Sequence, residues 1–123
     1  MPEKLKNLLI AAAEELGWRV VISDDSWEFQ KYSPAGEDFW VCIAGKDVVE
    51  EMLDYYEGFD TEDHVMMHME GKRSGVAGVP SLKVLIEDAD NIDKMLEELY
   101  DSLHEVEEKY YEECCDEDGK ERS

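Results

Sequence analysis

Two histidines, His64 and His68, stand four positions apart in the run His-Val-Met-Met-His-Met-Glu. On a helix, imidazoles at that spacing share a face and can chelate zinc. On a strand they would lie roughly 13 Å apart, at about 3.3 Å per residue, and could not. No Glu follows His64, so the metalloprotease pattern His-Glu-x-x-His is absent. Val65, Met67 and Met69 alternate with His64, Met66, His68 and Glu70, which favours a strand, whereas the helix preference of Met favours the opposite. The alternation weighs more here, and a fourth strand is predicted over residues 64–70. That leaves two half-exposed histidines on a sheet, with no metal and no cofactor expected. A metal-dependent enzyme using His64 and His68 is the alternative.

Other reactive residue types fall outside known reactive patterns. Cys114 and Cys115 are adjacent, which is not a Cys-x-x-Cys redox pair, and the acids around them disfavour the thiolate. Cys42 sits in an apolar run and reads as a small core residue. Gly71, Gly75 and Gly78 with Lys72 and Arg73 lack the Gly-x-x-x-x-Gly-Lys-Ser/Thr order of a phosphate loop, so a flexible connector is expected from Gly71 to Gly78. Met66, Met67 and Met69 suit core filling or a soft binding surface. Ser33 lies in a loop with no nucleophile elbow. No catalytic residue is therefore assigned.

The elements that must position these residues follow from periodicity. Leu5, Leu8, Leu9, Ala12 and Leu16 fall on one face of a helix over residues 3–16, and Gly17 can stop it. Residues 18–22, 27–32 and 39–43 are short β-branched and aromatic runs separated by turn residues, an antiparallel meander. A second helix over 47–57 has Asp47 as its cap and Glu50 three residues on. Ser81 can cap a long last helix, in which Leu85, Ala89, Ile92, Leu96, Leu99, Leu103, Val106 and Tyr110 recur at spacings of four and three. The predicted fold class is α+β: an antiparallel sheet of three to four strands with helices packed on it, in the order α-β-β-β-α-β-α. Residues 1–113 form one domain and 114–123 a frayed acidic tail. The three cysteines follow no disulfide framework, as expected of free thiols in the reducing cytoplasm. The apolar run from Leu8 to Ala13 is too short and too acidic in its flank for a signal peptide.

The chain of 123 residues carries a formal net charge of −21, and that charge is unevenly placed. Nine acids and no Lys or Arg lie from Asp47 to Glu70. Fifteen acids and two lysines lie from Glu87 to Asp118. The remainder holds nine acids against ten bases. With Ala89, Leu96 and Leu103 facing the core, Asp90, Glu97, Glu98, Asp101, Glu105, Glu108 and Glu112 fall on the outward side of the last helix. Asp47, Glu50, Glu51 and Asp54 form a second acidic group. Direct nucleic-acid or anionic-membrane binding is opposed by this balance, because phosphate neutralisation needs Lys and Arg.

The segment from Trp27 to Phe39, Trp-Glu-Phe-Gln-Lys-Tyr-Ser-Pro-Ala-Gly-Glu-Asp-Phe, resembles a recurring stretch in small acidic bacterial proteins, as does Gly75-Val-Ala-Gly-Val-Pro-Ser-Leu82. The resemblance, over residues 5–110, is to uncharacterised proteins of phages and mobile elements. It implies an accessory or anti-defence role and assigns no catalytic residue. The α-β-β-β-α opening is also similar in order to the double-stranded-RNA-binding module, but the acids of the second helix stand where that module needs bases. The expected function is a non-enzymatic acidic protein that binds a basic protein partner, or a nucleic-acid-binding complex, as a nucleic-acid mimic inhibiting a host nuclease or defence complex. A structural or assembly module, a homodimer formed through the long apolar seam or an open sheet edge, is the other expectation.

Overall fold

Strict alternation of large apolar residues builds the sheet. In the computed structural model, which describes residues 2–34, 36–73 and 81–118, with side chains left out at 71–73 and 114–118, β3 (Asp38–Ile43) buries Phe39, Val41 and Ile43. Its intervening residues Asp38, Trp40 and Cys42 point to the opposite face and are exposed. β1 (Arg19–Ile22), β2 (Trp27–Tyr32) and β3 pair antiparallel in that order. The register aligns Val20 with Phe29 and Val41, and Ile22 with Trp27 and Ile43, so one face is continuous and apolar. Cys42 is thus exposed and not a core residue. A strand with a period of two cannot bury Val41, Cys42 and Ile43 on the same side.

The described residues form four helices besides this sheet. α1 (Glu3–Glu15) buries Leu5, Leu9, Ala12 and Ala13. It ends at Leu16, whose carbonyl accepts from Lys31 Nζ at 2.7 Å, and the same ammonium lies 5.8 Å above the Trp18 ring. α2 (Val48–Gly58) starts on the predicted cap, Asp47 accepting from the Glu50 amide at 3.4 Å. The long last helix, α4 (Leu82–Asp118), starts on Ser81, whose Oγ accepts from the Val84 amide at 3.4 Å. Its 37 residues span roughly 55 Å. Leu85, Ala89, Ile92, Leu96, Leu99 and Leu103 are buried along its seam, with Val106 and Tyr110 partly covered. That seam packs on α1, α2 and α3, so the apolar stripe that a second copy would need is covered by the chain itself.

The fold is α+β, with a three-stranded antiparallel sheet and the long C-terminal helix expected. One element differs: residues 64–70 belong to α3 (Thr61–Arg73), a helix and not a fourth strand. Asp60 makes it so. Its carboxylate accepts from the amides of Glu62 at 2.9 Å and Asp63 at 3.3 Å, and its carbonyl accepts from the His64 amide at 3.0 Å. Gly71 to Arg73, expected to begin a connector, continue this helix. The rest of that connector, with Gly75 and Gly78, lies outside the described residues. At the other end, α4 carries its helical backbone to Asp118, five residues past the expected domain boundary. Residues 119–123, and the side chains of Cys114 and Cys115, are outside the description.

Candidate functional site

The outward positions of α4 are where the seam places them. Asp90, Glu97, Glu98, Asp101, Glu105, Glu108 and Glu112 are all exposed. So are Asp47, Glu50 and Asp54 on α2. Glu51 is half-buried and turned inward, its Oε1 accepting from the Gly45 amide at 2.7 Å, so it serves the turn that precedes α2.

The two acidic groups, separate in sequence, lie in each other's field. α2 packs on α4. Asp47, Val49, Glu50 and Leu53 from α2 share a groove of about 420 Å³ with Tyr100, His104, Glu107 and Tyr111 from α4. Burial raises the Glu107 carboxyl above the usual carboxylate range, and Asp47 raises it further, against an opposing contribution from His104. Burial likewise raises the Tyr100 hydroxyl, followed by Asp101, Glu50, Glu57 and Glu108. Tyr56 on α2 is raised first by burial, then by Glu97, Asp93 and Asp101 of α4. Each helix therefore feels the carboxylates of the other, and the acids form one negatively charged region across both.

A second constellation gathers on the far end of the sheet. Because α3 is a helix, His64 and His68 share a face, with ring centroids 4.6 Å apart. Both point at one carboxylate: His64 Nε2 lies 3.1 Å from Glu37 Oε1, and His68 Nε2 lies 3.3 Å from Glu37 Oε2. The ligand atoms of the three residues all fall within 4.8 Å of one another. His64 is buried against Phe39 and Phe59 at centroid distances of 6.3 and 5.6 Å. His68 and Glu37 are partly exposed. Glu37 and His64 also line an open cleft of about 970 Å³, walled by Phe39, Trp40, Tyr55, Phe59 and the exposed Met66 and Met67.

Reading of the sequence found the two histidines and missed Glu37, which lies in the turn between β2 and β3, 27 positions before His64. The signal available was Asp60: an Asp followed by Thr61-Glu62-Asp63 is a helix start, and it would have put both histidines on one face. No protein-family model, curated protein or solved structure matches this chain.

Proposed function

We propose that this protein acts by docking its acidic α2–α4 face onto a basic protein partner, in the manner of a nucleic-acid mimic that occupies the binding surface of a nuclease or other nucleic-acid-binding complex. The observation that carries this reading is the merging of two sequence-distant acidic segments into one region. The geometry has a suitable charge density. From Asp90 to Glu112 the outward side of α4 carries seven exposed acids over roughly 33 Å of helix axis. That is about one carboxylate per 5 Å, the same order as the roughly 3.4 Å between phosphates along one strand of B-DNA, and the α2 acids add to it. Only two lysines, Lys94 and Lys109, interrupt it. A continuous helix holds these carboxylates at fixed spacing, so ordering them on binding costs less than ordering a flexible acidic tail. The field of such a surface steers a basic partner and makes association strongly salt-dependent.

Capture of basic proteins from a lysate of the native host at low ionic strength, with elution along a salt gradient, tests this reading. Reversal of Glu97, Asp101, Glu105 and Glu108 to Lys should abolish capture. If the reversed protein folds and captures the same partner with equal strength at low salt, the proposal fails.

A further inference from the structure

We infer that Glu37, His64 and His68 form a binding site for a divalent transition-metal ion of the zinc class, held by one carboxylate and two imidazole nitrogens. A backbone contact fixes the tautomer of His68. Its Nδ1 lies 3.0 Å from the His64 carbonyl oxygen. A carbonyl can only accept, so the hydrogen of the neutral ring resides on Nδ1. The Nε2 of that neutral ring then carries a lone pair, and it faces Glu37 Oε2 at 3.3 Å. Lone pair against carboxylate is repulsive unless a cation lies between them. His64 can donate from Nε2 to Glu37 Oε1 at 3.1 Å as a neutral ring, so one added proton on His68, or one divalent ion between the rings and the carboxylate, answers the geometry. The ion does so without charging either ring.

The arrangement has further marks of a ligand set. The backbone carbonyl that receives His68 Nδ1–H is the partner that orients a metal-bound imidazole and leaves Nε2 for the ion. Metal–nitrogen bonds of about 2.0–2.1 Å at a tetrahedral centre separate neighbouring donor atoms by about 3.3 Å. The imidazole–carboxylate separations, 3.1 Å from His64 to Oε1 and 3.3 Å from His68 to Oε2, are of that size, and one ligand atom from each of the three residues falls within 4.8 Å of the others. Glu37 is held in place before any ion arrives: Ser33 Oγ accepts from the Glu37 amide at 3.0 Å, and the Ser33 amide donates to the Glu37 carbonyl at 2.8 Å. Two imidazoles with one carboxylate suit zinc, cobalt or nickel, whereas magnesium and calcium prefer oxygen donors throughout. Three protein ligands leave a fourth position for water, and the cleft beside Glu37 and His64 admits it. The ion would tie α3 to the β2–β3 turn, whatever partner the acidic face meets.

Titration of untagged, full-length protein with Zn²⁺ and Co²⁺ tests the site, at physiological salt and in excess Mg²⁺ to occupy the surface carboxylates. Saturable one-to-one binding is expected, with the visible absorption of four-coordinate cobalt. Glu37→Gln and His68→Gln should each weaken it at least tenfold, and zinc should raise the melting temperature of the wild type but of neither variant. The wild type alone gives an independent readout in its histidine NMR signals. Zinc should shift those of His64 and His68 and leave His104, on α4, in place. Binding abolished by Mg²⁺, equal binding in both variants, or a shift confined to His104 would overturn the site.

Discussion

Ser33 Oγ donates to Asp88 Oδ2 at 2.7 Å, joining the β2–β3 turn to the first turns of α4 across 55 positions of sequence. Both residues are buried. The same hydroxyl oxygen accepts from the Glu37 amide, so one serine fixes the turn to the helix and anchors the Glu37 backbone. Ser33→Ala removes both bonds and costs Asp88 a buried donor. A loss of about 1–3 kcal/mol is expected, read as a lower urea midpoint at unchanged slope. Because Glu37 loses its support, zinc affinity should fall in the same variant.

Gly45 holds a turn that no side chain fits. Its φ is +87°, and a Cβ placed there would lie 2.3 Å from Trp27 Cδ1. Gly36 has nearly the same backbone angle, +92°, with nothing within 4 Å. The pair separates two costs. Gly36→Ala should carry only the left-handed backbone penalty, about 1–2 kcal/mol. Gly45→Ala adds a clash with a core indole and should cost at least about 3 kcal/mol, overpacking included. Denaturant unfolding of the two variants side by side measures the difference, and equal losses would mean that Trp27 moves aside freely.

Much of this architecture was legible because the core is periodic. Leu85 through Leu103 announce α4 by spacing alone, and the residues that the spacing turns outward, from Asp90 to Glu112, are exposed. Two features were not legible. Residues 64–70 alternate like a strand, yet they follow a helix start at Asp60, which accepts from the amides of Glu62, Asp63 and His64, and the helix packs on α4; together these outweigh a short pattern. Glu37 meets His64 only through tertiary structure, with the turn between β2 and β3 brought against α3 by the sheet and by Asp88. The merging of the α2 and α4 acids was hidden in the same way, since Asp47 and Glu107 become neighbours only once the helices pack.

That neighbourhood gives Glu107 a measurable signature. Its carboxyl is raised above the ordinary value, by burial first and by Asp47 second. A raised acid favours folding while it is protonated in both states, below the unfolded value, and that contribution is lost as pH rises through the folded value. At neutral pH the ionised Glu107 therefore works against the fold. Glu107→Gln should raise stability at neutral pH by no more than about 0.5 kcal/mol, given its partial exposure. The gain should vanish once pH falls below the usual glutamate range. Melting temperatures across that range check the sign, and a variant less stable than wild type at neutral pH would contradict it.

Tyrosine titration probes the acidic field without altering it. The hydroxyls of Tyr55, Tyr56 and Tyr100 are all raised above the ordinary tyrosine value, but for different reasons. Tyr55 is raised by burial alone, whereas Tyr56 adds carboxylates of α4 to the effect of burial and Tyr100 adds carboxylates of both α2 and α4. Salt screens charge over a Debye length of about 10 Å at 0.1 M and about 3 Å at 1 M, but leaves burial unchanged. Titration by NMR of ring-labelled protein at low and high salt should bring Tyr56 and Tyr100 down toward the ordinary value and move Tyr55 less. The quadruple reversal of Glu97, Asp101, Glu105 and Glu108 should lower Tyr56 and Tyr100 in the same direction at low salt. If salt moves all three tyrosines equally, the carboxylates of α2 and α4 do not share a field, and the docking face divides into two separate patches.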